Sequence, residues 1–484
     1  MLGIAGKATS DKGEMVRIPI VGLVLLTAML GSRPARLAAQ APAVGSEPVA
    51  AVVEAVAPAV EAMVPASVPG DLSLGQAVRE ALAANPDLAV ARARLAAAQA
   101  AVDGARAAFF PRVSAMVQYN EREYSPSSLG FAGMPAAAGG GTRTSIVQTD
   151  GLTFQWPIDL GQRTALALRR ARAGERKAAS DRRGAESEVI ALTIEAFLGV
   201  RRAAELLTSA RDRATALAAH RELVLRRLDA ELAQRTDLLK ADVQLESARE
   251  AVLLAENALA QAGHVLNQML GRPVAAPVAV ATAALELAVP DLDTLAQDLE
   301  TANPGLVSLR RQVEVLEQGL RLERAGHRPT LTLSGSRTRT GKDWPPSDPN
   351  WAVAAALDWK LFDAGQQQAR VAEARARLAE AQAQLEKTRQ ALQVQLQSAW
   401  RQYRTAATRL EVTRKALELA QEEVRLSRLQ AEEGLITLTD HLDTQAEFTR
   451  AQVAFIVATF DRTLAALRLL QLAGRLDREF AERL

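Results

Sequence analysis

Two stretches of this chain, Gln162 to Asp229 and Gln366 to Glu433, contain no proline and are dominated by Ala, Leu, Glu, Gln and Arg. Those residues lose little conformational freedom in a helix, so each stretch predicts one uninterrupted helix. At 1.5 Å per residue each helix would be about 100 Å long. Within the second stretch Leu378, Leu385 and Leu392 repeat every seven residues. Leu410, Leu417 and Val424 resume the repeat after a shift of four at Ala399 to Tyr403. A heptad carrying such a stutter unwinds the supercoil locally and gives nearly straight helices lying side by side. The apolar stripe by itself also fits the seam of a soluble coiled coil.

Composition agrees with long helices. Aromatic residues make up 4% of the 484 residues, in a chain that is 48% hydrophobic. The absence of cysteine excludes a disulfide scaffold, thiolate catalysis, a cysteine zinc site and lipid attachment through an N-terminal Cys. With 58 basic residues against 56 acidic ones, the net charge of +2 gives no electrostatic case for nucleic acid binding.

Residues 1–41 have the pattern of a signal peptide. Lys7, Lys12 and Arg17 precede an apolar run from Ile18 to Leu30, and small residues follow at Ala38, Ala39 and Ala41. The run is short for a membrane helix, which needs about 20 apolar residues; an uncleaved inner-membrane anchor is the alternative. Residues 42–70 hold Pro42, Pro48, Pro58, Pro65 and Pro69, a density that prevents regular helix and predicts a flexible spacer.

The rest of the chain is written twice. Asn85-Pro86-Asp87-Leu88 recurs as Asn303-Pro304-Gly305-Leu306, 218 positions later, and Pro111 recurs as Pro329 at the same offset. Trp156 and Trp359 are then 203 apart, Gly161 and Gly365 204, and Thr236-Asp237 and Thr439-Asp440 203. Extra Ser, Gly, Ala and Pro residues at Ser125 to Thr144 in the first copy account for the fall. The ordered matches divide the chain into repeats at 71–277 and 278–476, with a tail at 477–484.

Each repeat has the same expected order. A short amphipathic helix (Leu74 to Ala84; Leu292 to Ala302) ends at the Asn-Pro pair, because proline disfavours helix in the residue before it. A second helix runs to Pro111 or Pro329. Alternating residues then predict a strand: Val113, Ala115 and Val117 between polar neighbours, and Leu331 and Leu333 likewise. The return limbs are Ile146 to Ile158 and Trp351 to Phe362, each about as long as a tilted strand crossing a bilayer. Trp156, Trp344, Trp351 and Trp359 lie at the strand ends, where amphipathic rings favour the membrane–water boundary; a soluble hairpin is the alternative. After the strands come the very long helix, a single turn near Thr236 or Gly434 to Thr437, and a second long helix to Leu270 or Ala473.

The chain resembles the outer-membrane factor family, the TolC-like exit channels of tripartite efflux and secretion systems, over nearly all of 72 to 476. The resemblance rests on Leu72-Ser73-Leu74, Ala77 to Asn85-Pro86, the Phe110-Pro111 junction, Trp156-Pro157-Ile158-Asp159-Leu160-Gly161, Leu361-Phe362-Asp363-Ala364-Gly365, Thr236-Asp237 and Gly434 to Asp443. It implies a mainly α fold with a small β part. Three chains would each give four strands to one twelve-stranded transmembrane β-barrel, and their long antiparallel hairpins to a periplasmic α-barrel. It further implies residence in the cell outer membrane, and a periplasmic adaptor and an inner-membrane pump as partners. Adaptor contact would fall at the hairpin tips, Thr236, Asp237, Gly434 and Thr437. Strands too few to close alone already require oligomerisation.

Relatives narrow the tunnel with aspartates, and Asp440 and Asp443 occupy the matching place; positions i and i+3 share one helix face. Three chains would bring these carboxylates into a ring selective for cations or open to metal block. The alternative is helix capping, since Asp near a helix N-terminus favours the dipole and Thr437 or Thr439 can cap. The first repeat has Lys240 at i+3 from Asp237, so only the second hairpin carries the pair. Where relatives often lock the tip with an arginine and an upstream tyrosine, this chain has Ile436 and Ala431. His220, His264, His327 and His441 are scattered and read as free surface groups, with no metal site and no cofactor. No Ser-His-Asp spacing, GxxxxGK[ST] loop or HExxH occurs, so no enzyme is expected. The competing class is a soluble coiled-coil periplasmic adaptor, which would carry one hairpin and a larger β-rich part.

Overall fold

The computed structural model describes residues 71–124, 143–231, 233–281, 285, 287–433 and 435–476. The expected signal, spacer and tail, most of the Ser125 to Thr144 insertion and Gly434 lie outside these residues.

Helices α1 (Leu74–Ala84) and α2 (Pro86–Ala107) lead into strands β1 (Arg112–Tyr124) and β2 (Arg143–Ile158), followed by α3 (Arg163–Asp229) and α4 (Arg235–Leu270). The same order follows in α5 (Leu292–Ala302), α6 (Pro304–Arg324), β3 (Thr330–Gly341), β4 (Asp348–Asp358), α7 (Gln366–Glu432) and α8 (Leu438–Ala473). The matching long helices are equal in length, 67 residues for α3 and α7 and 36 for α4 and α8.

The local chemistry of the two halves also matches. Asn85 caps α2 by accepting from Asp87 N–H at 2.8 Å, while its amide donates to the Met269 carbonyl in the last turn of α4 at 3.3 Å. Asn303 accepts from Leu306 N–H at 3.0 Å and donates to the Leu472 carbonyl of α8 at 2.9 Å. One side chain thus begins one helix and satisfies the end of another, supplying groups that helix termini leave unpaired. Proline at the next position costs nothing, because the first helical N–H has no partner within the helix. Gly271 and Gly474 end α4 and α8 in the left-handed region, at φ of 69° and 70°. A Cβ on Gly474 would meet the Ala302 carbonyl oxygen at 2.5 Å, so only glycine allows α5 to approach this closely.

The strands form one antiparallel sheet in the order β1-β2-β3-β4. Helices α2, α3, α6 and α7, each continuous in chain with one strand, pack in that same order. The core lies where α1 and α5 cross the long helices. Val78, Ile194, Leu198, Ile456, Phe460 and Leu470 join α1, α3 and α8, while Leu295, Leu299, Leu306, Leu396 and Leu469 join α5, α6, α7 and α8. Along α7 the least exposed positions include Leu378, Leu385, Leu392, Ala399, Tyr403, Leu410, Leu417 and Val424. This is the heptad seam with its shift of four where the sequence places it.

Several boundaries differ from the sequence reading, the starts of β2 at Arg143 and β4 at Asp348 among them. Strand β4 stops at Asp358 rather than Phe362, because its partner β3 begins at Thr330, directly after Pro329, which has no N–H to donate. Helices α2 and α6 end at Ala107 and Arg324, short of their prolines, as the chain tightens into the strand. The first hairpin turns before Arg235, so Thr236 and Asp237 sit in the first turn of α4.

Candidate functional site

The two ends of the long helices carry the chemistry. At the end near the strands, Asp159 accepts from Ala165 N–H at 3.0 Å and Asp363 from Gln367 N–H at 2.9 Å. These carboxylates cap α3 and α7, compensating their positive helix ends. Gly365, at φ of 84°, turns the corner before α7.

The sheet has two chemically distinct faces. Register places Val113, Ala115, Val117, Leu152, Phe154, Trp156, Leu331, Leu333, Val353, Ala355 and Leu357 on one side, with Arg337 and the Arg339–Asp150 ion pair on that same side toward the hairpin end, level with and beyond Trp351. Ser114, Gln118, Thr149, Thr153, Thr332, Ser334, Ser336 and Thr338 lie on the other. Val113, Val117, Val353 and Leu357 are exposed. Trp156, which donates to the Phe109 carbonyl at 3.0 Å, and Trp359 stand at the helix end of the sheet. Trp351 and Trp344 stand at the hairpin end. Eight residues separate Trp351 from Trp359, about 27 Å of extended chain. Strands β1 and β4 are both edges, with backbone groups unpaired along their outer sides. No helix among the described residues is long and apolar enough to cross a membrane.

At the far tips both returning helices begin with a capping box. Gln234 N–H donates to Asp237 at 3.2 Å, and the Thr236 hydroxyl donates to the Gln234 side chain at 3.3 Å. In the second hairpin the Thr437 hydroxyl and N–H donate to Asp440 Oδ2 at 2.6 and 3.1 Å, and Thr437 Oγ1 accepts from Asp440 N–H at 3.2 Å. The Thr437 hydroxyl holds the Asp440 carboxyl below the usual carboxylate range, with its backbone N–H adding to the effect. Asp440 is therefore tied to the helix start, as the capping reading anticipates. Asp443, one turn on, is exposed, with no hydrogen bond or ion pair among the described residues. In the first hairpin Lys240 lies 3.9 Å from Asp237, so that tip is locally neutral while the second is acidic.

The histidines depart from the expectation. His264 and His327 are exposed, but His220 is buried and His441 half-buried. Burial pushes the His220 pKa down, and the charges of His441 and Arg227 push it the same way. The physical reason is the packing of α8 against α3, which brings two histidines from separate repeats together. Sequence spacing carries no trace of that contact, though one histidine near each expected turn, His220 before Thr236 and His441 after Thr437, is a usable signal. Among the described residues no group of three or more His, Asp or Glu could hold a metal ion.

Continuous sheet-to-helix panels of this kind occur in outer-membrane channels. The crystal structure of the CmeC outer membrane channel of Campylobacter jejuni superposes with a TM-score of 0.72 at 15% identity, covering 83% of this chain and 85% of that one. The chain belongs to the outer membrane efflux protein family, whose model matches residues 77–272 and 295–475. It is 29% identical over 320 residues to protein CyaE of Bordetella pertussis, covering 63% of each chain. It is 24% identical over 312 residues to the fusaric acid resistance protein FusA of Burkholderia cepacia, covering 63% of this chain and 58% of that protein. The chain thus spans about three-fifths of the length of these relatives.

Proposed function

We propose that this chain is one third of a trimeric outer-membrane exit channel, a passive conduit from periplasm to exterior for a tripartite efflux pump or type I secretion system. The observation that carries this reading is the four-stranded sheet with two free edges, in line with four helices of the same order. An open sheet with an apolar face has no stable place in a bilayer until its edges pair, and three copies closing into twelve strands supply that pairing. The apolar side then meets lipid, and the Ser/Thr/Gln side lines the pore. Trp156 and Trp359 mark one membrane boundary and Trp344 and Trp351 the other, at a separation close to the height of an outer-membrane apolar band.

The helices would continue the wall as an α-barrel. The common order of elements in 71–277 and 278–476 supports a duplicated unit. The α3–α4 and α7–α8 tips, with Thr236, Asp237, Gly434 and Thr437, are where a periplasmic adaptor and its pump would engage. Asp443, with Asp440 behind it, is the proposed cation-selective constriction. A soluble adaptor would have no use for a sheet face carrying exposed Val113, Val117, Trp351 and Val353. Membrane fractionation tests the reading: the protein is expected to need detergent for extraction. Release by high salt or alkaline wash alone would defeat it.

A further inference from the structure

A shallow groove of about 210 Å³ between α3 and α6 is lined by Arg169, Arg172, Arg176, Gln318 and Arg321. Arg176 is paired with Glu314, but Arg169, Arg172 and Arg321 have no carboxylate within salt-bridge distance among the described residues. The Gln318 Oε1 atom is buried without a hydrogen-bond partner among them. Arg169, Arg172 and Arg321 are exposed and present their guanidinium groups to solvent, so the cost of the empty groove falls on the buried Gln318 oxygen, and a ligand that both donates to it and carries negative charge would satisfy the site. The complement is a phosphate oxygen cluster, which guanidinium forks bind in bidentate fashion, carrying an O–H or N–H donor for Gln318.

The position of the groove narrows the source. Arg321 lies one turn, about 5 Å, from the sheet end of α6, and Arg169 two turns into α3. Arg310 and Arg389 both reach Glu300 of α5, so α5 covers that face of the panel. Arg321 is 11 residues beyond Arg310, about 20° from the same direction at 100° per residue. The groove therefore opens on the face that carries α5. In the proposed channel, on which this inference rests, that face is outside the tunnel, because helices on the other face would obstruct the lumen.

We infer that the Arg169–Arg172–Arg321–Gln318 groove binds the phosphate of an inner-leaflet phospholipid whose headgroup carries a hydroxyl or ammonium donor. Basic pockets beside the membrane boundary hold such headgroups in the same way. Three sites per trimer would anchor the collar beneath the barrel.

The test is native mass spectrometry of the full-length trimer delipidated from nanodiscs of phosphatidylglycerol, phosphatidylethanolamine or phosphatidylcholine, with inorganic phosphate titrated separately. The wild-type protein is expected to retain phosphatidylglycerol or phosphatidylethanolamine over phosphatidylcholine by about tenfold, the worth of one charge-assisted hydrogen bond. Arg169→Gln/Arg172→Gln/Arg321→Gln should lose that preference, and Arg172→Gln alone should weaken it. Equal retention by wild type and the triple variant overturns the site, as does saturation by inorganic phosphate with no lipid preference. Conductance of the same preparations separates the two readings. The triple variant is expected to conduct like wild type, and a wild-type protein that keeps the lipid but passes no current counts against the channel alone.

Discussion

The Oγ of Ser427 and the Nδ1 of His441 lie 2.6 Å apart between α7 and α8, and His441 in turn faces buried His220 on α3. This contact joins the two hairpins just above their tips. Burial and the neighbouring charges of His441 and Arg227 lower the pKa of His220 in the fold, whereas the unfolded chain keeps the ordinary 6.5. As pH falls the unfolded state takes up the proton first. His220 therefore stabilises fully above about 6.5, and that contribution is lost as pH drops from there toward the folded value. Thermal melting across this window should show a falling midpoint for wild type and a flatter profile for His220→Gln. Parallel profiles for the two would show that the contact plays no such part.

Asn303 caps α6 and binds the end of α8 with one buried side chain. Asn303→Ala strands the Leu306 N–H and the Leu472 carbonyl together, a loss of about 2 kcal/mol or more. Asn303→Asp keeps the acceptor and removes the donor, so it should cost less. Ranking the melting midpoints of the three proteins checks this, and an alanine variant as stable as wild type would refute the dual role.

The two faces of the sheet make a paired prediction. Val353→Arg places a cation on the apolar side, costing about 2–4 kcal/mol if that side meets the middle of a bilayer. Ser334→Arg on the opposite side should fold and insert normally. Refolding into liposomes followed by protease protection measures both, and equal yields would contradict the assignment of faces.

Much of this architecture is legible in the sequence because its signals are local. The two 67-residue helices follow from proline-free, helix-favouring runs, and the stutter at Ala399 to Tyr403 follows from leucine spacing alone. The Asn-Pro pairs announce helix boundaries, but not that the same amides reach Met269 and Leu472, since those contacts join residues 184 and 169 positions apart. Trp359 to Phe362 read as strand because they are apolar and aromatic, yet pairing ends where β3 begins, a fact that belongs to the partner strand. At the tip, spacing shows that Asp440 and Asp443 share a face. Only the geometry separates the carboxylate bound by Thr437 from the one left exposed. The His220–His441 contact was hidden for the same reason as the Asn amides: it depends on how α8 lies on α3.

The central claim is tested most directly by single-channel recording of the purified full-length protein in planar bilayers. Wild type should give discrete, cation-selective openings that added multivalent cations block. Asp443→Ala should raise conductance and remove most of that block. Asp440→Ala should act mainly by lowering stability, through loss of the Thr437 cap. A membrane-inserted trimer that carries no current, or an Asp443→Ala channel indistinguishable from wild type in conductance and block, would contradict the account.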